Sequence, residues 1–241
     1  MTKLLPVTFS FAALLAAANV PADDRGRVVF SDDFNRNESQ ETKDEVGNGW
    51  STNSASRAKG NKQVDLKDGA MHIVMHKEAD HAVSVKHDGE FKNGGVELRF
   101  KLDDPKDTLG LDFADLELKT VHAGHLFKVT VGDGKLVIAD LKTGNMDLKI
   151  YEARQAKQTL TDEQKKQLAG KQKSFPLKLN PGEWYTLGVS VEGDTVRTTI
   201  NGKPVGEFSS EGFAHPTKRA LRLAVPKEAW VDDVKMFAKE G

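Results

Sequence analysis

Cysteine is absent from the 241 residues. That excludes disulfides, thiolate nucleophiles and zinc–thiolate sites, so stability must come from the core, with or without a metal. Aromatic residues make up only 7%, including two tyrosines and three tryptophans. This is lean for a surface that grips sugars by stacking. Neither sign of charge prevails, with 35 basic residues against 36 acidic ones. No basic field is left to hold a phosphate backbone, so nucleic acid is not an expected partner. Charges alternate in sign along the chain, the pattern of a solvated surface. Beyond residue 22 no run is long and apolar enough to span a membrane. No internal repeat is visible, and the length suits one domain at roughly 100–200 residues per domain.

The N-terminus is different in kind. Lys3 supplies a positive start, Leu4 to Val20 is apolar with many small residues, and Val20-Pro21-Ala22 ends in small side chains before Asp23-Asp24. This is the pattern of a signal peptide cleaved after Ala22. No cysteine stands at the cleavage site to carry a lipid. The expected mature chain is a single domain, 23–241, exported to the periplasm or beyond.

After the signal come short alternating runs punctuated by Gly, Asn and Asp. Val96, Leu98 and Phe100 alternate with Glu97, Arg99 and Lys101, which predicts a half-buried strand. Asp68-Gly69, Asp133-Gly134 and Asn201-Gly202 separate apolar runs and predict hairpin turns. About a dozen strands at this spacing make an all-β sandwich or barrel. Residues 35–62 read as a long ordered loop anchored by Trp50. One segment, about 146–173, is rich in Lys, Gln, Ala and Glu. Thr161-Asp162-Glu163-Gln164 is a capping-box start there, so a short helical insertion is expected.

Two groups of residues carry potential chemistry. In Leu111 to Leu118 the acids conflict in parity: Asp115 and Glu117 share a face with Leu111 and Phe113, whereas Asp112 shares one with Leu116 and Leu118. A β-bulge near Ala114 would put Asp112, Asp115 and Glu117 on one face, with Leu116 and Leu118 buried. Sugar hydrolases use paired carboxylates, so these are candidate catalytic acids. Histidines form the second group: His72, His76, His81 and His87 on one hairpin region, and His122 and His125 around Gly124. Imidazole serves as acid, base or ligand near neutral pH, and His81 and His125 adjoin turns that could rim a cleft. Arg57 and Arg99, with His81, are candidate substrate-binding residues. Asp33, Asp232 and Asp233 fall on the expected first and last strands, with Asp32, and offer oxygen ligands for calcium.

The block Gly182-Glu183-Trp184-Tyr185-Thr186-Leu187, Val189 to Val196 and Ile200-Asn201-Gly202-Lys203-Pro204-Val205 resembles a conserved stretch of concanavalin A-like lectin/glucanase domains. Val231-Asp232-Asp233-Val234 resembles their last strand, and Phe30 to Arg36 their first. Within that superfamily the chain is similar to 3-keto-disaccharide hydrolase-like domains, also called family-16-like or domain of unknown function 1080. The resemblance implies a jelly-roll sandwich of two antiparallel sheets and a carbohydrate ligand or substrate. Two functions are then open. One is an enzyme that hydrolyses or eliminates across the glycosidic bond of a 3-keto-disaccharide, with Asp112, Asp115 or Glu117 as base and His125 or His81 as acid. The other is a non-catalytic carbohydrate-binding or cell-surface module. The substrate and the oligomeric state are not readable at this level.

The signal pattern gives the first prediction. N-terminal sequencing of the exported protein should begin at Asp23. Recovery of intact Met1 from the membrane fraction would contradict it.

Overall fold

Alternating apolar and charged side chains produce strands along most of the chain. The computed structural model describes residues 25–240, so the predicted signal segment, 1–22, lies outside the described residues. The first sheet runs in the order β13 (Lys203–Ser209), β12 (Thr195–Ile200), β11 (Trp184–Glu192), β6 (Asn93–Lys101), β15 (Glu228–Lys239), β4 (Ala70–Val74) and β3 (Val64–Lys67). β1 (Arg27–Asp32) pairs with the far half of β15. The second sheet runs β10 (Gln172–Pro176), β9 (Lys135–Asp140), β8 (His125–Gly132), β7 (Thr108–Ala114), β14 (Lys218–Val225), β5 (Val83–Phe91) and β2 (Ser51–Thr52). Every pairing is antiparallel. This is the expected two-sheet jelly roll.

The core lies between the sheets. Val96, Leu98 and Phe100 of β6 and Leu187, Val189 and Val191 of β11 enter it from one side. Leu109, Leu111 and Phe113 of β7, Phe127 and Val129 of β8, and Leu221 and Leu223 of β14 enter from the other. Phe113 and Phe127 stack at 4.4 Å. The three predicted turns form as the sequence requires. Asp68-Gly69, Asp133-Gly134 and Asn201-Gly202 all take positive φ at both positions, matching the twist of the strands they join.

The predicted helical insertion forms as two helices, α2 (Leu148–Gln155) and α3 (Asp162–Leu168), and a single turn, α1 (Ser54–Arg57), lies in the long loop. Thr161 and Gln164 make the reciprocal bonds of the capping box. No helix of the described residues is long and apolar enough to cross a membrane.

The long loop is tied down by one buried acid. Asp32 accepts two bonds from Arg36, at 2.7 and 2.9 Å, one each from Asn48 Nδ2 and Trp50 Nε1, and one from the Phe34 N–H. Burial pushes its carboxyl up, but these five donors outweigh that and hold it below the ordinary carboxylate value. Removing the acid leaves the indole N–H unpaired and the guanidinium with the Val46 carbonyl alone. Asp32→Ala should cost about 3–5 kcal/mol and lower the melting temperature by roughly 10 °C, measured by calorimetry.

Lys218 poses the opposite problem. It is 1% exposed, and its Nζ donates to the carbonyls of Lys92, at 2.6 Å, and His215, at 2.9 Å. Burial, with the charges of Lys142 and Lys92, pushes its pKa down to about 8. An unfolded lysine keeps its proton to about 10.4. Between these values the unfolded chain binds more protons than the folded one, so stability should rise with pH through this window. Denaturant melts of the wild type and of Lys218→Met should diverge between pH 8 and 10, with the wild type gaining roughly 2–3 kcal/mol over the variant. Parallel curves would show that the lysine titrates normally.

Candidate active site

On β7, Leu111 and Phe113 face the core, so Asp112 projects from the outer face of the second sheet. In register it lies between Arg222 of β14 and Lys128 of β8, and Arg222 in turn faces Lys86 of β5. The expected bulge exists, but on the partner strand. Phe113 pairs with Phe127 and Ala114 with His125, so Leu126 is the extra residue and it sits in β8. Leu126 and Phe127 are both fully buried. The extra residue therefore lets His125 and Lys128 share the outer face with Asp112.

His125 Nδ1 is 2.6 Å from Asp112 Oδ2. A carboxylate only accepts, so Nδ1 carries the proton and donates it, and Nε2 keeps its lone pair. Arg222 closes the cluster. Its Nη1 is 3.3 Å from His125 Nδ1 and 3.7 Å from Asp112 Oδ1, and its Nη2 donates to the Ala123 carbonyl at 2.8 Å. Only 6% of the Asp112 side chain is exposed, yet its Oδ1 has no hydrogen-bond partner among the described residues. Such a group normally costs about 1–3 kcal/mol.

The segment before His125 is held tightly. Ala123 and Gly124 take positive φ, at 49° and 71°. A side chain at Gly124 would collide with the Asp115 carbonyl, at 2.2 Å. The helical insertion grips the same segment: His122 N–H donates to Met146 O and Leu148 N–H to Thr120 O. Tyr151 of α2 then stacks on His122 at 3.7 Å. The two imidazoles lie 6.2 Å apart, centre to centre. Burial first, then the electrostatic influence of His125 and Arg222, hold His122 below its usual pKa.

The three acids do not share a face as expected. β7 ends at Ala114, and the chain turns over Asp115 to Lys119. Asp115 is buried, and it points to His215 Nε2, at 2.9 Å, and Arg219 Nε, at 3.1 Å. Burial pushes its carboxyl up, but the bonds from His215 and the Glu117 N–H, with the charges of Arg219 and His215, bring it below the ordinary value. Glu117 is exposed and pairs with Arg219 at 2.9 Å. Leu116, expected to be buried, is 42% exposed, because the bulge that would have turned it inward belongs to β8.

Three expected substrate-binding residues lie away from Asp112. Arg57, at the end of α1, pairs with Asp80 at 3.7 Å, and His81, just before β5, bonds the Ala82 carbonyl; both are exposed. The Asp112 row crosses β5 further along, at Lys86. Arg99 is on the other sheet, bonded to Asp232 at 2.9 Å and lying over Trp184 at 4.9 Å.

The acids expected to hold calcium are engaged within the protein. β1 and β15 are neighbours, but β15 bulges at Asp232 and Asp233, where Asp233 has φ 48°. Arg99 engages both acids, and Asp33 accepts from the Asn35 N–H. No group of three or more His, Asp or Glu among the described residues is arranged to hold a metal ion. A cavity of about 460 Å³ lies elsewhere, at one end of the sandwich, lined by Leu102, Pro105, Pro176, Leu177 and Leu179. Its polar lining is Asp104, Asp133, Lys178 and Asn180.

Arg222 and Lys128 were missed in the sequence. Each is one charge at an outward position of an apolar strand, which is the look of any solvated face.

The family described as the 3-keto-alpha-glucoside-1,2-lyase-like domain matches residues 42–235. No curated protein matches the chain by sequence. Among solved structures, the laminarinase from Rhodothermus marinus is similar with a TM-score of 0.57 at 11% identity, over 89% of this chain and 98% of that one. The laminarinase from Flavobacterium sp. UMI-01 gives 0.55 at 13% identity, over 88% and 100%. The carbohydrate binding module CBM66 from Bacillus subtilis gives 0.51 at 11%, over 80% and 96%. At these identities the likeness is one of fold.

Proposed function

The chain belongs to the 3-keto-alpha-glucoside-1,2-lyase-like family, and from that premise we propose that it is an exported enzyme that eliminates the alcohol from a 3-keto-glucoside. One observation carries the proposal: His125 is fixed by Asp112 through Nδ1 and keeps Nε2 free. A ketone at C3 acidifies the C2–H. His125 Nε2 takes that proton, and the electron pair moves toward the C3 oxygen as an enolate. The enolate then expels the substituent at C1, and the proton on His125 passes to the departing oxygen. One C2–H and one C1–O bond break, a C1=C2 bond forms, and an alcohol leaves. Asp112 is a positioning residue: it fixes the tautomer and steadies the imidazolium that forms.

Hydrolysis by two carboxylates has less support. It needs an open pair about 5–5.5 Å or 6.5–9.5 Å apart, and Asp115 is saturated by His215 and Arg219. Among the described residues, the tryptophans offer the binding-module alternative little open ring surface. Trp230 is covered by His72, stacked at 3.9 Å, and by Lys101, at 4.4 Å. Arg99 lies over Trp184, and Trp50 is buried. Export rests on the Lys3 to Ala22 segment.

The test uses a simple 3-keto-α-glucoside and follows alcohol release together with loss of the C2 proton in D₂O. His125→Ala should lower kcat on the order of 10²–10⁴-fold. Asp112→Asn should fall by roughly tenfold or more through the wrong tautomer. Glu117→Ala should stay close to wild type. Full activity in His125→Ala would remove the proposal.

A further inference from the structure

A proton next to a carbonyl comes off readily only if something receives the charge that appears on the carbonyl oxygen. Fixed positive groups in a site with little water do this best. The outer face of the second sheet carries three cations in one row: Lys86, Arg222 and Lys128. Lys86 is paired with Asp88 at 2.7 Å. Arg222 is spent on the Ala123 carbonyl and borders the Asp112–His125 pair. No hydrogen bond or ion pair engages the Lys128 ammonium among the described residues.

Lys128 is nevertheless half-buried, because it lies along the sheet instead of reaching into solvent. Its seat is Gly110 of β7. A Cβ there would come within 2.2 Å of Lys128 Cε and 2.9 Å of Nζ. The same row of the sheet continues with small side chains, Thr130, Ala224 and Ser84. A flat floor, an unpaired cation and a buried carboxylate oxygen with no partner thus share the outer face with His125, whose partner Asp112 stands opposite Lys128 in register.

We infer that Lys128 is the electrophile of this site: its ammonium holds the C3 carbonyl oxygen of the sugar and stabilises the enolate formed when His125 takes the C2 proton. This rests on the proposed elimination. Gly110 acts as the positioning residue that lets the lysine lie flat. The charge change is local and balanced: the oxygen of C3 gains negative charge beside the ammonium, and the ammonium returns to its starting state when the C1–O bond breaks.

The intact protein is assayed with the same 3-keto-α-glucoside, reading alcohol release and C2–H exchange separately. Lys128→Met should lower kcat by about 10²–10³-fold with KM changed far less, since the interaction tightens as charge develops. Both readouts should fall together. Lys128→Arg should recover part of the loss. Gly110→Ala keeps every charge but lifts the lysine off its seat, and should lose more than tenfold in kcat with an unchanged melting curve. Lys128→Met within threefold of wild type, while His125→Ala is inactive, would overturn the electrophile and leave the elimination standing. A wild type that neither exchanges nor releases would overturn both.

Discussion

One extra residue in β8 decides what the outer face of the second sheet can do. Without Leu126 as a bulge, His125 and Lys128 would have opposite parity, and one of them would point into the core. With it, Leu126 and Phe127 both pack inward, Phe127 against Phe113. The apolar contacts hold the bulge in place, and the bulge brings the imidazole to Asp112 at 2.6 Å. The packing and the chemistry are therefore one constraint. A slip of register between β7 and β8 would lose both.

What could be read from the sequence follows from the range of the interactions. The three Asp-Gly and Asn-Gly turns and the Thr161 capping box are local, set by residues within four positions of each other, and they form as written. The parity conflict in 111–118 was a true signal, because parity has to be restored somewhere near Ala114. Parity on one strand cannot say which strand holds the extra residue. The answer depends on pairing with β8, which is distant in sequence and enforced by the core. The same limit applies to Asp232 and Asp233. Their place beside β1 was legible, but Arg99, which occupies them, arrives from β6. Arg222 and Lys128 carried no local signal at all.

Two buried acids three residues apart show how context divides one residue type between tasks. Asp115 has each oxygen engaged, by His215 and by Arg219 with the Glu117 N–H. It fixes the turn that ends β7, and nothing in its surroundings is left to react. Asp112 has one oxygen bonded to His125 and the other bare, with Arg222 at 3.7 Å. A bare buried oxygen weakens the fold, which is the expected direction where pre-organisation for a ligand competes with stability.

The two sheets also divide the surface. The outer face of the first sheet presents Trp184, Lys101, Trp230 and His72 in one register row. His72 and Lys101 lie against the Trp230 ring and Arg99 lies over Trp184, so the rings of this row are taken up in part by their neighbours. The second sheet has the reverse character. Its outer face is floored by Gly110, Ala224 and Ala139 and has few large rings, so a ligand can approach the backbone closely. In the row through Asp112 one acid faces Arg222 and Lys128, while Lys86 is taken up by Asp88. A neutral glycan has no use for such an imbalance, whereas the enolate of the proposed elimination does. On that ground the sparse aromatic content stops being a deficit: recognition by developing charge needs a cation and a fixed imidazole, and stacking adds little to it.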